Sequence, residues 1–490
     1  MRWRLALALF ALALATRIPF ATTNLYAPDS VLYARAVQSF DPFEQRPQPP
    51  GYLWYVLALR GLDLATGDAN RAMTIVSALA GAAAVAFIYL LASRLYEERT
   101  GRVAALFALT AVTFWAYGGV AYPYTLLAAL TTGCAILFWR AHEPELTRSG
   151  RGAHLVVASA AYGIAVGFRS DLAIFLAPLW LLTAVRATIA TALLAAATVA
   201  AFVLAWVGAS AIADGGAERF LLAVSEQSRF VDERYSIFGN GPIAIYRNSY
   251  ELARFLGRGL YFLLPLVAVA VLSVEARRAE MRDRWRTAFL LVWTLAPLPF
   301  YVFVHVGEYG YIFSMLPGLA IAAARGALAL AKGLRRPRLF RWIVGGVAVA
   351  NAAVFLLSDT PISARDIARQ DHGIDEKLAY LSTFSPETTQ VVTGYDSVLV
   401  QNYLGGRLPT LAYDPANPDF TIALSCDHAP PHMPCAGPSV DVVLWDDLLR
   451  AEGAGWHEVR MAHGGRLRMQ RAPRAASLRV SGGLGVEILR

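Results

Sequence analysis

Long apolar stretches alternate with short polar ones from residue 4 to residue 357. A helix needs about 20 predominantly apolar residues to cross a bilayer. Stretches near that length recur at residues 4–20, 71–94, 103–119, 121–140, 153–169, 171–187, 189–212, 256–275, 287–305, 310–331 and 342–357. The pattern predicts a multi-span α-helical membrane protein with about eleven transmembrane helices. No internal repeat is visible among them. Beyond residue 357 the apolar runs shorten to strand length, as in QVVT at 390–393 and VDVVLW at 440–445, and alternate with helical stretches such as 374–384. This predicts a small C-terminal α/β soluble domain. The expected domains are 1–357 and 358–490.

Two segments in the first domain break the rhythm. Residues 51–64, GYLWYVLALRGLDL, are apolar but short and carry Arg60 and Asp63. They are read with residues 29–40 as two juxtamembrane helices lying along the outer surface. The prolines of the 47–50 run, PQPP, fix φ and keep the preceding backbone extended, a stiff hinge ahead of the second of these helices.

Orientation follows from cations in short loops, which stay cytoplasmic. MRWR at 1–4, RLYEERTGR at 94–102, RRAEMRDRWR at 277–286 and KGLRRPRLFR at 332–341 qualify, with 140–151 a weaker fifth. A crossing at 51–64 would put 94–102 outside. The reading is an inner (plasma) membrane protein, multi-pass, with a cytoplasmic N-terminus, an extracytoplasmic C-terminal domain and outer loops at 21–70 and 213–255. The first apolar run is read as a retained anchor; a cleaved signal peptide is the other reading of its basic start and apolar core.

Composition agrees: of 490 residues, 56% are hydrophobic and only 16% charged, away from soluble averages. The net charge of +8 comes almost wholly from arginine, since Lys332 and Lys377 are the lysines. These arginines lie in short loops without interleaved aromatics, so no nucleic-acid partner is expected. No phosphate-binding P-loop, dinucleotide fingerprint or HExxH motif is present, and nothing supports nucleotide-driven or zinc-peptidase chemistry.

Candidate chemistry centres on Asp29, which follows the first apolar run and opens DSVLYARAVQ at 29–38. A carboxylate at the membrane rim can take a proton from an incoming hydroxyl beside a lipid headgroup. The bland role for Asp29 is a helix N-cap, and the two roles are compatible. The second outer loop holds Glu226, Arg229, Asp232, Glu233, Arg234 and Arg247 around a Gly-Asn-Gly-Pro breaker; it is read either as a cover over a headgroup or acceptor, or as a solvated connector.

An acid in a D-x-x-x-Y-x-x-x-A setting after a first transmembrane helix (Asp29, Tyr33, Ala36), then Pro49, Pro50, Gly51 and Tyr52 before an aromatic helix, resembles the C-type glycosyltransferase superfamily (GT-C). The protein O-mannosyltransferases and lipid A aminoarabinose transferases belong to it. The resemblance continues in G-F-R-S-D at 167–171 and in HVGEYGYIFSMLP at 305–317, and covers roughly residues 1–330. It implies a GT-C fold and sugar transfer on the outer face, from a polyprenyl-phosphate-linked sugar to an envelope lipid, glycan or protein acceptor. The first-loop acid, Asp29, would be the base.

Such a displacement inverts the anomeric centre and needs positive charge on the departing phosphate. Arg169 is the first candidate for that contact, with Arg35 and Arg46 as alternatives; an Arg169–Asp171 surface pair is the structural reading of the same residues. Tyr52, Gln48 and Asp171 are candidate substrate-binding residues. His305 and Glu308 are candidates for orienting the substrate, with Tyr309 and Tyr311 as stacking surface. Two departures from the family pattern stand out: Gln48 where relatives often carry lysine, and Tyr122-Pro-Tyr124 where many carry an acid.

In the tail, Cys426 and Cys435 bracket CDHAPPHMPC. The motif invites a zinc reading, but an oxidising exterior favours a disulfide between the two cysteines, with free thiols as the third reading. No cofactor is firmly predicted, and a divalent metal stays open without a residue set that supports it. Two other functional classes stay open: a transporter or flippase of a lipid-linked glycan, which usually shows repeated halves and midplane ionisable residues, and a non-catalytic GT-C-like scaffold.

Overall fold

The computed structural model describes residues 2–143, 145–273, 283–336, 338–394, 396–413, 421–423, 437–447, 449–474 and 476–482. Cys426 and Cys435 lie outside the described residues, as does most of the basic stretch 277–286. The chain forms two compact units, one of residues 1–21 and 32–365, the other of residues 22–31 and 366–490.

The first unit is helical. In chain order its helices are α1 (Arg2–Arg17), α2 (Pro28–Gln38, shared with the second unit), α3 (Leu53–Thr66), α4 (Ala69–Leu95), α5 (Glu98–Thr110), α6 (Val112–Ala116) and α7 (Tyr124–Arg140). Then follow α8 (Arg148–Phe168), α9 (Leu172–Ala184), α10 (Ile189–Ala213), α11 (Ala217–Arg234), α12 (Ile237–Asn240), α13 (Pro242–Leu260) and α14 (Leu264–Leu272). After the undescribed stretch come α15 (Arg284–Leu295), α16 (Leu298–Phe303), α17 (Leu316–Gly333) and α18 (Leu339–Leu357).

Among the described residues, seven helices are long and apolar enough to cross a membrane: Arg2–Phe20, Ala69–Leu95, Arg148–Phe168, Ile189–Ala213, Pro242–Leu272, Arg284–Phe303 and Leu339–Leu357. Tyr124–Arg140 and Leu172–Ala184 are shorter apolar helices. Among the described residues, each apolar stretch marked in the sequence falls largely on helix, with 103–119 broken at Ala111. In hydrocarbon a helix satisfies its own backbone groups, which is why these runs take that form.

Prolines and polar caps set the ends. Pro297 separates α15 from α16, and Pro317 sits in the first turn of α17 after a 3-10 turn at Tyr309–Ser314. Residues 310–331 are therefore a 3-10 turn followed by a helix rather than one straight span. Asp68 caps α4 by accepting the Arg71 N–H at 3.0 Å, and Thr147 and Thr188 cap α8 and α10 in the same way. The second outer loop is not an irregular connector: its sequence folds as the amphipathic α11 and as α13, whose first turn carries Pro242.

Small residues bring the helices together, as expected where lipid supplies no hydrophobic drive between them. The alanine-rich α4 packs against α1, α5 and α7, and α8 packs against α10. The two segments read as surface helices are α2 and α3. Helix α3 buries Leu53, Tyr55, Val56 and Leu59 and packs on α4 and α8.

The second unit adds α19 (Ala364–Leu381) and α20 (Ser397–Leu404) to β1 (Thr389–Thr393), β2 (Thr410–Ala412), β3 (Thr421–Ala423), β4 (Ser439–Leu444), β5 (Leu449–Ala451), β6 (His457–Arg460), β7 (Arg466–Pro473) and β8 (Ser477–Gly482). A five-stranded sheet has the order β2-β1-β4-β7-β6, and a three-stranded one the order β3-β8-β5. Strand β1 is parallel to β2 and β4, whereas β7 is antiparallel to β4 and β6. Val391, Val392, Val442, Val443 and Leu444 are buried, matching the apolar runs in the sequence.

Residues 22–31 join this unit through a dense polar grip from α19. The Thr23 N–H and hydroxyl both donate to Asp371 Oδ2 at 2.9 Å, and the Asn24 N–H donates to Asp371 Oδ1 at 2.8 Å. The Asn24 side chain donates to Asp375 at 2.8 Å, and the Leu25 N–H to the Tyr403 hydroxyl at 2.8 Å. Asp29 stands in the first turn of α2, at the end of this gripped segment, and is half-buried.

Candidate functional site

The residues 167–171 bridge α8 and α9. Arg169 closes α8 in an extended conformation, and Asp171 stands at the N-cap position of α9. Their side chains meet: Arg169 Nη2 donates to Asp171 Oδ2 at 2.8 Å and Nε to Oδ1 at 3.3 Å. The pair is not at the surface, since Arg169 is only 3% exposed. Burial opposes the guanidinium charge, but Asp171 outweighs it and holds the Arg169 pKa well above the ordinary arginine value.

Three tyrosines surround that guanidinium. Its carbon lies 4.8 Å from the Tyr124 ring centre, 5.7 Å from Tyr311 and 5.8 Å from Tyr52. The face of an aromatic ring attracts a cation, most strongly where water is excluded. Each tyrosine comes from a different element: Tyr52 precedes α3 with φ 50°, Tyr124 opens α7, and Tyr311 lies in the 3-10 turn. Tyr33 of α2 extends the cluster by packing edge-on against Tyr52 and Tyr55, with centroids 5.2 and 5.3 Å away.

Two glycines make these approaches feasible. A Cβ at Gly167 would lie 2.2 Å from the Trp54 indole, so the glycine of the 167–171 motif lets α3 lie against the end of α8. A Cβ at Gly310 would lie 2.2 Å from Tyr124, so the turn carrying Tyr311 reaches the ring only because residue 310 has no side chain.

His305 and Glu308 flank the cluster. The His305 ring is 5.5 Å from Tyr311 and 4.5 Å from Tyr235, and its Nδ1 has no hydrogen bond among the described residues. Burial, reinforced by Arg247, pushes its pKa down to about 4, so the imidazole is neutral at pH 7. Glu308 accepts a hydrogen bond from the Tyr117 hydroxyl at 3.2 Å, and Tyr117 packs against Tyr124 at 5.7 Å. Tyr309 turns elsewhere, to Arg258 and Phe255.

The first outer loop supplies the other basic candidates. Arg46 pairs with Asp41 at 3.1 Å, which also pairs with Arg219 at 3.0 Å. Arg35 is half-buried and has no carboxylate partner among the described residues; burial, then Arg46, lowers its pKa. Gln48 accepts the Gly51 N–H through its backbone carbonyl at 3.0 Å, closing the turn before Tyr52. Sequence reasoning thus placed Tyr52, Arg169, Asp171, Tyr311 and His305 among candidates that do converge. It missed Tyr124 and Tyr117, whose signal was the tyrosine-rich run 117–124 itself. No group of three or more His, Cys, Asp or Glu side chains arranged for a metal is found among the described residues.

Residues 47–209, about a third of the chain, match the family of dolichyl-phosphate-mannose-protein mannosyltransferases. The matched stretch contains Tyr52, Tyr124, Arg169 and Asp171, but neither Asp29 nor Arg35. The crystal structure of ArnT from Cupriavidus metallidurans bound to undecaprenyl phosphate superposes with a TM-score of 0.52 at 15% identity, covering 96% of this chain and 97% of that one. The chain has the GT-C fold. The apo structure of the same ArnT gives 0.54, again at 15% identity, over 94% of this chain and 97% of that one. The GT-C likeness therefore runs through both units, far beyond the family match. A comparison with curated protein sequences gives no match.

Proposed function

We propose that this chain is an inverting membrane glycosyltransferase that moves a sugar from a polyprenyl-phosphate donor to an envelope acceptor. The observation that carries the reading is the buried Arg169–Asp171 pair ringed by Tyr52, Tyr124 and Tyr311 on a GT-C fold. Tyr52 and Tyr311 are only half-buried, so these two rings keep surface against which a sugar can pack. That ArnT was crystallised with undecaprenyl phosphate supports a lipid-phosphate donor.

In the proposed step the acceptor hydroxyl attacks the anomeric carbon. The C–O bond to phosphate breaks, the new glycosidic C–O bond forms, and the hydroxyl proton passes to the Asp29 carboxylate while polyprenyl phosphate departs with the electron pair. The role of Asp29 rests on its sequence setting in α2. Arg35 is the better direct phosphate contact, because Arg46 is committed to Asp41 and Arg169 to Asp171, whereas Arg35 has no carboxylate partner among the described residues. Arg169 then serves to hold the tyrosine platform.

The test is sugar transfer from a panel of polyprenyl-phosphate sugars by purified protein and by Asp29→Asn and Arg35→Gln at matched amounts, read by mass spectrometry of lipid and acceptor fractions. A drop of about 100-fold or more in Asp29→Asn supports the base. Equal turnover removes Asp29 from the chemistry, and no turnover by any form across the panel turns the reading toward transport or scaffolding.

A further inference from the structure

At the end of α8 opposite Arg169, the first unit holds a second concavity. The 21 residues of α8 rise about 1.5 Å each, which separates its ends by about 30 Å. A cavity of about 650 Å³ opens there among Arg148, Arg151, Arg186, His142, Thr188 and Thr191. It is a different place from the tyrosine cluster and takes no part in the proposed transfer.

The cavity is built for negative charge. Among the described residues none of the three arginines is in an ion pair, and the neighbouring Glu143 is turned to Arg94 at 3.8 Å. Two long helices begin at its wall: α8 after Thr147, and α10 after Thr188, whose hydroxyl accepts the Thr191 N–H at 3.2 Å. Both direct their positive ends toward the space. Burial, then Arg186 and Arg151, pushes the pKa of His142 down to about 4, as expected beside uncompensated positive charge.

The occupant's other half is read from the flank. Val185 and Ile189, next in sequence to Arg186 and Thr188, are 76% and 81% exposed, and Leu193 and Leu194 continue this apolar surface along α10. A free phosphate has no use for such a surface, whereas acyl chains do. Basic pockets between transmembrane helices bind anionic lipid headgroups in this way. We propose that the cavity lined by Arg148, Arg151 and Arg186 binds the phosphodiester headgroup of an anionic phospholipid, with its acyl chains along the start of α10.

The experiment is native mass spectrometry of the full chain extracted from mixed phosphatidylcholine–phosphatidylglycerol bilayers, with and without added inorganic phosphate. The wild-type protein is expected to retain phosphatidylglycerol over phosphatidylcholine. Arg148→Gln with Arg151→Gln is expected to lower that retention about thirty-fold. Where the double variant does not give the wild-type melting profile, Arg186→Gln alone serves, with a drop of about five-fold. Equal retention of the two lipids overturns the proposal, as does retention unchanged by either substitution. Displacement of the lipid by millimolar inorganic phosphate overturns the lipid assignment in favour of a free-anion site.

Discussion

Asp371 accepts both the backbone N–H and the hydroxyl of Thr23 on a single carboxylate oxygen, across 348 residues of sequence. With Asn24 on its other oxygen, the carboxylate fixes the backbone four residues before α2 begins at Pro28. Asp371→Ala removes charge-assisted bonds worth about 2–4 kcal/mol together. The expected outcome is a rise of about 30- to 1000-fold in amide exchange at Thr23 and Asn24, with lower sugar transfer. Hydrogen–deuterium exchange with peptide resolution over residues 22–31 checks it.

Gly167 should not accept a side chain. Gly167→Ala places a methyl against Trp54 and is expected to destabilise the protein by about 1–3 kcal/mol through overpacking. Trp54→Ala in the same chain should return much of that loss, giving a coupling that a simple sum of the two effects does not predict. Thermal melting of the two single variants and the double variant in detergent decides this.

Breaking the Arg169–Asp171 pair from one side leaves a buried charge alone. Arg169→Met is expected to cost about 3–5 kcal/mol, while Arg169→Met with Asp171→Leu should melt near the wild type, since an apolar pair fills the same volume. Activity should stay low in both, because the tyrosines have lost their central cation. A double variant with wild-type melting and wild-type transfer would confine the pair to a structural role.

His305 gives a pH signature of defined sign. Its folded pKa of about 4 lies below the ordinary 6.5, so between those values the unfolded chain binds more protons than the folded one. Stability therefore falls as pH drops from about 6.5 to 4, by at most about 3 kcal/mol. His305→Gln should flatten that slope, and melting temperatures across pH 4.5–7.5 measure it.

Hydropathy made the helices legible because a membrane segment is defined by its own length and composition. The 167–171 motif likewise carried its own pairing, two residues apart. Other features depend on partners the local sequence does not reveal. Tyr124 stood out as a departure from an acidic position, yet its place over Arg169 depends on Gly310, almost two hundred residues later. The amphipathic period of α11 was present in the sequence, but its many charges read as a loop. The grip of Asp371 on Thr23 has no local signature, since the two residues stand 348 positions apart.

That grip also sets an order of events during synthesis. Asn24 leaves the ribosome 347 residues ahead of Asp371, a delay of roughly 20–70 s at 5–20 residues per second. Through that interval the membrane helices can insert while the segment leading to Asp29 has no partner to close on. The segment of the proposed base thus closes late, after about three-quarters of the chain has been made, and a nascent chain stopped short of α19 would carry the helices of the first unit without the grip that leads to Asp29.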